Sequence, residues 1–156
     1  MKVLLALILG TTLTAGALSA QSDGLPPVFI LGEQEEAYEQ IKQSYSQTLL
    51  EVTEYDTQKA FRHWMDMMEA MEAHAEKLKF DLNGIKIWLH AFWEEDGSIS
   101  HLGYLLRPNS RNVDKLELAA FLKTFMDKYT FELTSNKPFS HYTGANFPIY
   151  SQKVNN

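Results

Sequence analysis

The chain has 156 residues, 14 Lys and Arg against 20 Asp and Glu, a formal net charge of −6 at pH 7 and no cysteine. The acidic balance argues against nucleic acid and anionic membrane surfaces as partners, because both are recognised through Lys and Arg. Without cysteine the fold has no disulfides, so packing alone must hold it.

The N-terminus reads as a targeting segment. Lys2 is followed by an apolar run from Val3 to Gly10 and a small-residue stretch ending Leu18-Ser19-Ala20. This is the pattern of a cleaved signal peptide, residues 1–20. The competing reading is an uncleaved anchor, for which Val3 to Ala20 is barely long enough. No cysteine follows, so the signal is not of the lipoprotein kind. The expectation is an exported protein, periplasmic or secreted, that inserts into no membrane once the signal is cut. Residues 21–27 form a flexible lead and residues 28–156 a single domain.

Val28-Phe29-Ile30-Leu31 reads as a first strand. From Glu33 to about Thr53 the period turns helical, with Tyr38, Ile41, Tyr45, Leu49 and Val52 at steps of three and four. Asp56 or Thr57 caps a second helix. Its stripe is Phe61, Trp64, Met68, Met71, Ala75 and Leu78, and Asn83-Gly84 ends the segment as a turn.

A hairpin follows. Ile85, Ile87, Leu89, Ala91 and Trp93 share one face of a strand, and Lys86, Trp88, His90, Phe92 and Glu94 the other. Asp96-Gly97 predicts a two-residue type I′ turn with Glu95 opposite Ser98. That register sets Ala91 against Leu102, Leu89 against Tyr104 and Ile87 against Leu106 on the core face. On the other face Phe92 meets His101, His90 meets Gly103 and Trp88 meets Leu105. This second face is also aromatic, so it calls for cover from the first two helices or from a partner.

Residues 107–112 form a loop, and Asp114 with Glu117 predicts a capping box. The helix it opens carries Leu118, Phe121 or Leu122, Phe125 and Tyr129. Thr130 to Leu133 is short and extended. Phe139 to Thr143 and Asn146 to Tyr150 read as two extended pieces on either side of Gly144. Pro148 confines the last piece to a sheet edge or a strand end. The predicted class is α+β: a small, mainly antiparallel sheet with a central Asp-Gly hairpin and helices packed on it.

Asn83-Gly84-Ile85-Lys86-Ile87-Trp88 entering a strand, Asp96-Gly97-Ser98-Ile99-Ser100, the Asp114 helix and Phe147-Pro148-Ile149 in the last strand together resemble the C-terminal domain of TonB energy transducers. Pro27-Val28-Phe29-Ile30-Leu31-Gly32-Glu33 is similar to that family's first strand and helix start. The likeness covers about half of the chain that follows the leader. The chain departs from the family in its long Asp56–Leu78 helix, its missing Pro-rich spacer and its cleavable N-terminus. The resemblance implies an exposed sheet edge that accepts an extended peptide as an added strand, such as a segment of an outer-membrane receptor.

Other chemistry is sparse. His90 and His101 are diagonal neighbours in the hairpin register, but no third ligand stands at fixed spacing. His63 and His74, eleven residues apart on one helix, lie about 16 Å apart at about 1.5 Å per residue, so they cannot share an ion and instead flank the apolar stripe. Met65, Met67, Met68 and Met71 suit core packing, with an adaptable contact surface or a copper patch as the functional alternative. Arg107, Ser110, Arg111 and Asn112 precede a helix N-terminus. They could hold a phosphate or carboxylate, or the arginines could pair with the acidic surface. Ser140-His141-Tyr142 offers a nucleophile and a base by type, but neighbours on a strand point to opposite faces and no acid orients His141. No G-x-S-x-G, H-E-x-x-H or phosphate-loop pattern occurs.

The expected function is non-catalytic binding of a protein or peptide, with no cofactor and no metal. The binding residues are Arg107, Ser110, Arg111 and Asn112 in the loop and Asn146, Phe147, Ile149 and Tyr150 in the final segment. Two alternatives stand beside it. One is a metal-binding or hydrolytic protein using His90, His101 and His141. The other is a carrier of small apolar ligands with Trp64, Trp88 and Trp93 around a cavity.

Overall fold

The computed structural model describes residues 24–149, so the expected signal peptide and Tyr150 lie outside the described residues. Among the described residues no helix is long and apolar enough to cross a membrane. The centre of the molecule is the expected hairpin, β3 (Lys86–Trp93) and β4 (Ile99–Leu106). Its six predicted cross-strand pairs, from Ile87–Leu106 to Phe92–His101, all form. Alternation fixes them, because a slip of one residue would turn the buried set to the other face.

The tip differs from the expectation. Glu94 N–H bonds to Ser98 C=O and Gly97 N–H to Glu94 C=O, so the loop has three residues, Glu95-Asp96-Gly97. This is a type I turn closed by a glycine at φ 85°, not a type I′ turn, and Glu94 rather than Glu95 sits opposite Ser98. The pairing then moves from Trp93–Ile99 to Phe92–His101, which leaves Ser100 as an extra residue on β4. That bulge restores the predicted register below the tip. Gly97 is also required sterically, since a Cβ there would collide with the Phe131 carbonyl.

The sheet has five strands in the order β1-β4-β3-β5-β2 and is mixed, with parallel pairs at both edges. β1 (Val28–Ile30) runs parallel to β4, and β2 (Gln47–Thr48) runs parallel to β5 (Phe139–Asn146). The central β3 pairs antiparallel with β4 and with β5. β5 passes straight through Gly144 as one eight-residue strand, where a break was expected, and it ends at Asn146. Residues 147–149 are not a strand: Phe147 is buried, and Ile149 N–H bonds to the Glu72 carboxylate.

The expected long first helix is interrupted. α1 (Glu35–Ser44) stops, β2 intervenes, and α2 (Leu49–Val52) restarts on a full capping box between Thr48 and Glu51. The helical spacing of Tyr45 and Leu49 spans this break without a continuous helix beneath it. α3 (Thr57–Leu78) is capped by Asp56 as expected, but its buried stripe is rotated. Ala60, Trp64, Met67, Met68, Met71 and Ala75 face inward, while Phe61 is 65% exposed. The methionines at 67, 68 and 71 are therefore core residues. α4 (Lys115–Met126) begins at the Asp114 cap, which accepts from Leu116 and Glu117 N–H, without a return bond from the Glu117 side chain.

α3 and α4 seal the face that carries Ile87, Leu89, Ala91 and Trp93. The other face holds a smaller cluster in which Tyr38, Ile41 and Tyr45 of α1 pack over Phe29, Leu31 and Phe92. The second long helix thus lies on the core face, and the aromatic face has α1 alone. Gly103 belongs to this arrangement, because its bare Cα leaves room for the Phe29 and Leu31 side chains.

Candidate functional site: the outer edge of β5

β5 is hydrogen-bonded along its full length to β3, but on its other side β2 reaches only Phe139 and Ser140. Phe147 N–H bonds to Ile85 C=O and accepts from Gly84 N–H, so the backbone of Phe147 faces β3. Strand alternation then turns the N–H and C=O groups of Tyr142, Gly144 and Asn146 outward. None of these three N–H groups donates to a group among the described residues. Among the described residues the rim is a run of unpaired donors and acceptors, the feature that templates pairing with another chain.

The two sides of this rim are chemically distinct. On the α1 side, Trp88 and Tyr142 stack with ring centroids 5.8 Å apart and are 37% and 50% exposed. Leu105 extends this apolar surface on the neighbouring strand, 41% exposed. Arg107 lies over the Trp88 ring at 5.1 Å in a cation–π contact and donates to Asn146 Oδ1 at 3.0 Å. On the α3 side, a cleft of about 660 Å³ runs between Trp64, Met65 and Met68 and the end of β5 at Ala145, Phe147 and Ile149.

Below the platform the aromatic face is closed. Tyr38 Oη bonds to His90 Nδ1 at 2.8 Å, and Tyr45 Oη donates to Glu94 and stands 2.8 Å from Ser100 Oγ. Burial pushes the Tyr38 phenol up, and the Tyr142 and Glu39 charges add to this. Burial also pulls the His90 imidazole down to about 4, with Lys42 and His141 adding to the shift. His90 is therefore neutral at ordinary pH.

The expected site residues separate into two groups. Asn146 is at the rim and Arg107 beside it. Phe147 and Ile149 line the cleft from below rather than forming an edge strand, and Tyr150 lies outside the described residues. Ser110 and Arg111 are engaged internally. Ser110 Oγ accepts from Lys86 N–H and donates to Arg111 C=O, while Arg111 donates to the carbonyls of Asn83, Asp81 and Asn112 and pairs with Asp81. The loop's two arginines thus have different partners. Arg111 staples residues 107–112 to the turn at 81–84, and Asn112 offers it a carbonyl.

Neither alternative site is assembled. His90 and His101 share the α1 face, whereas His141 lies on the α3 face with its ring 4.9 Å from Trp64. The sheet separates it from the other two. His101 Nδ1 is bonded to Ser100 Oγ at 2.7 Å. The three tryptophans line no common cavity. Trp93 is buried between Phe131 and Phe139, Trp64 borders the cleft, and Trp88 is on the opposite face.

The residues that sequence reasoning missed are Tyr142 and Gly144, and it named Trp88 only as the lining of a cavity. The alternation that placed Trp88 opposite Leu105 already put it on an outer face, but only the strand order brings Tyr142 beside it. No family model, no curated protein and no solved structure matches the chain.

Proposed function

We propose that this protein is an exported, non-catalytic binding domain that captures an extended peptide by adding it as a strand to the outer edge of β5. The observation that carries this reading is the outward row of N–H and C=O groups at Tyr142, Gly144 and Asn146, unpaired among the described residues. An added strand would bond to that row through its main chain. Its side chains would alternate, one set over the Trp88–Tyr142 stack and the other into the cleft beside Trp64 and Met68. The main chain supplies affinity and the two unlike surfaces supply selectivity. The likeness of residues 83–88, 96–100 and 147–149 to TonB C-terminal domains points the same way, toward a segment of an outer-membrane receptor as partner.

The test is calorimetric titration of the purified protein with extended peptides from receptor N-terminal segments. Micromolar binding is expected, lost in Gly144→Pro and kept in Gly144→Ala. Proline at 144 removes an outward N–H while keeping the bonds to β3, since proline is tolerated where a strand's N–H faces away from its partner, and Gly144→Ala controls for the added carbon beside Trp88. A loss of at least about tenfold, about 1.4 kcal/mol, is the expected scale. Absence of binding by every peptide, or equal binding by the proline variant, rejects strand addition.

A further inference from the structure

A second group of side chains converges far from the β5 rim, where the segment after α4 meets α3. His63 and Asp66 stand one turn apart on α3, three residues being the spacing that puts two side chains on the same helix face. Glu132 comes from the irregular stretch that follows α4. One ligand atom of each residue lies within 4.8 Å of the other two.

The placement is held from behind. Phe131 is buried, its N–H bonds to Gly97 C=O at 2.9 Å, and its ring packs against His63 at 6.0 Å. Burial of Phe131 therefore fixes both the azimuth of the His63 imidazole and the point from which Glu132 departs. His63 Nδ1 and Glu132 Oε2 stand 3.9 Å apart, too far for a direct hydrogen bond. Neither Asp66 nor Glu132 has a hydrogen bond to another side chain among the described residues, so two carboxylates and an imidazole meet without satisfying one another.

We propose that His63, Asp66 and Glu132 form a three-ligand site for a divalent transition-metal ion, with zinc the best match, which clasps the segment after α4 onto α3. One nitrogen and two carboxylate oxygens suit zinc and its neighbours, leaving the remaining position to water. Ligand atoms around a tetrahedral zinc stand about 3.4 Å apart for bonds of about 2.1 Å. The wider spacing here closes by rotation of the Asp66 and Glu132 side chains, both of which are exposed. His74, on the same helix but bonded to Thr124, does not take part.

The test is titration of chelator-treated protein with zinc by calorimetry and with cobalt by visible absorption, alongside thermal melting. One zinc per chain is expected, with a raised Tm and cobalt bands of low-coordinate character. His63→Ala and Glu132→Gln should each weaken zinc binding at least about tenfold, and His74→Ala should leave it unchanged. Glu132→Gln is exposed and isosteric, so it keeps the fold even if His63→Ala does not. No saturable binding below millimolar zinc overturns the proposal, as does undiminished binding by Glu132→Gln.

Discussion

The two faces of β3 come from the same eight residues, yet they have different fates. Ile87, Leu89, Ala91 and Trp93 are closed in by the 22-residue α3 and by α4, and each is essentially inaccessible. His90 and Phe92 on the opposite face are also buried, but the 10-residue α1 leaves Trp88, Leu105 and Tyr142 exposed. Both faces read as apolar in sequence. The difference lies in how much helix covers each, and the uncovered part borders the half of β5 that has no outer neighbour among the described residues. A sheet that leaves aromatic surface and free backbone side by side has kept them accessible together, and that coincidence supports a binding edge more than either feature alone.

The comparison can be broken most forcefully on the closed face. Trp93→Ala removes a ring packed between Phe131 and Phe139 and should cost about 3–5 kcal/mol in denaturant unfolding, as deletion of a large buried aromatic does. A cost below about 1 kcal/mol would mean that this face is not the core. Acid should act next, through the buried part of the aromatic face. His90 is held neutral with a folded value of about 4, while an unfolded imidazole titrates near 6.5. Protonation therefore favours the unfolded chain. The contribution of His90 is complete above about pH 6.5 and is lost as pH falls toward 4. Burial shifts His101 and His141 in the same direction. Melting temperatures should fall across that window, and His90→Phe should shrink the fall without abolishing it. An unchanged slope would place the acid sensitivity elsewhere. The smallest effect on stability belongs to Trp88→Ala. Trp88 lies on the open platform, so unfolding should change by no more than about 1 kcal/mol. Peptide affinity should drop about tenfold in the same variant, because aromatic anchors carry much of the energy at such contacts. A large stability loss with unchanged affinity would reverse the roles assigned to the two faces.

How much could be read in advance differed by element. The hairpin register was legible because alternation over Ile87–Phe92 admits only one set of partners. The turn was misjudged by one residue, since Asp-Gly serves a three-residue loop as readily as a two-residue one, and the compensating bulge at Ser100 has no local signature. The break between α1 and α2 was hidden because Tyr45 and Leu49 keep helical spacing across it. It is imposed from a distance, by the pairing of Gln47 and Thr48 with Phe139 and Ser140. At the loop, the arginines were visible as a charge pair, but the carbonyls that engage Arg111 come from the turn before β3.

Local pattern was enough for the α+β class, the helix caps at Asp56 and Asp114, and the facing pairs of the hairpin, because each depends on residues close in the chain. Strand order, the short reach of β2, the exposed Trp88–Tyr142 stack and the meeting of Glu132 with His63 and Asp66 were decided only by the tertiary structure. Each joins segments whose contact depends on how helices of unequal length share the two faces of one sheet, a balance of packing over the whole molecule that no local window of residues contains.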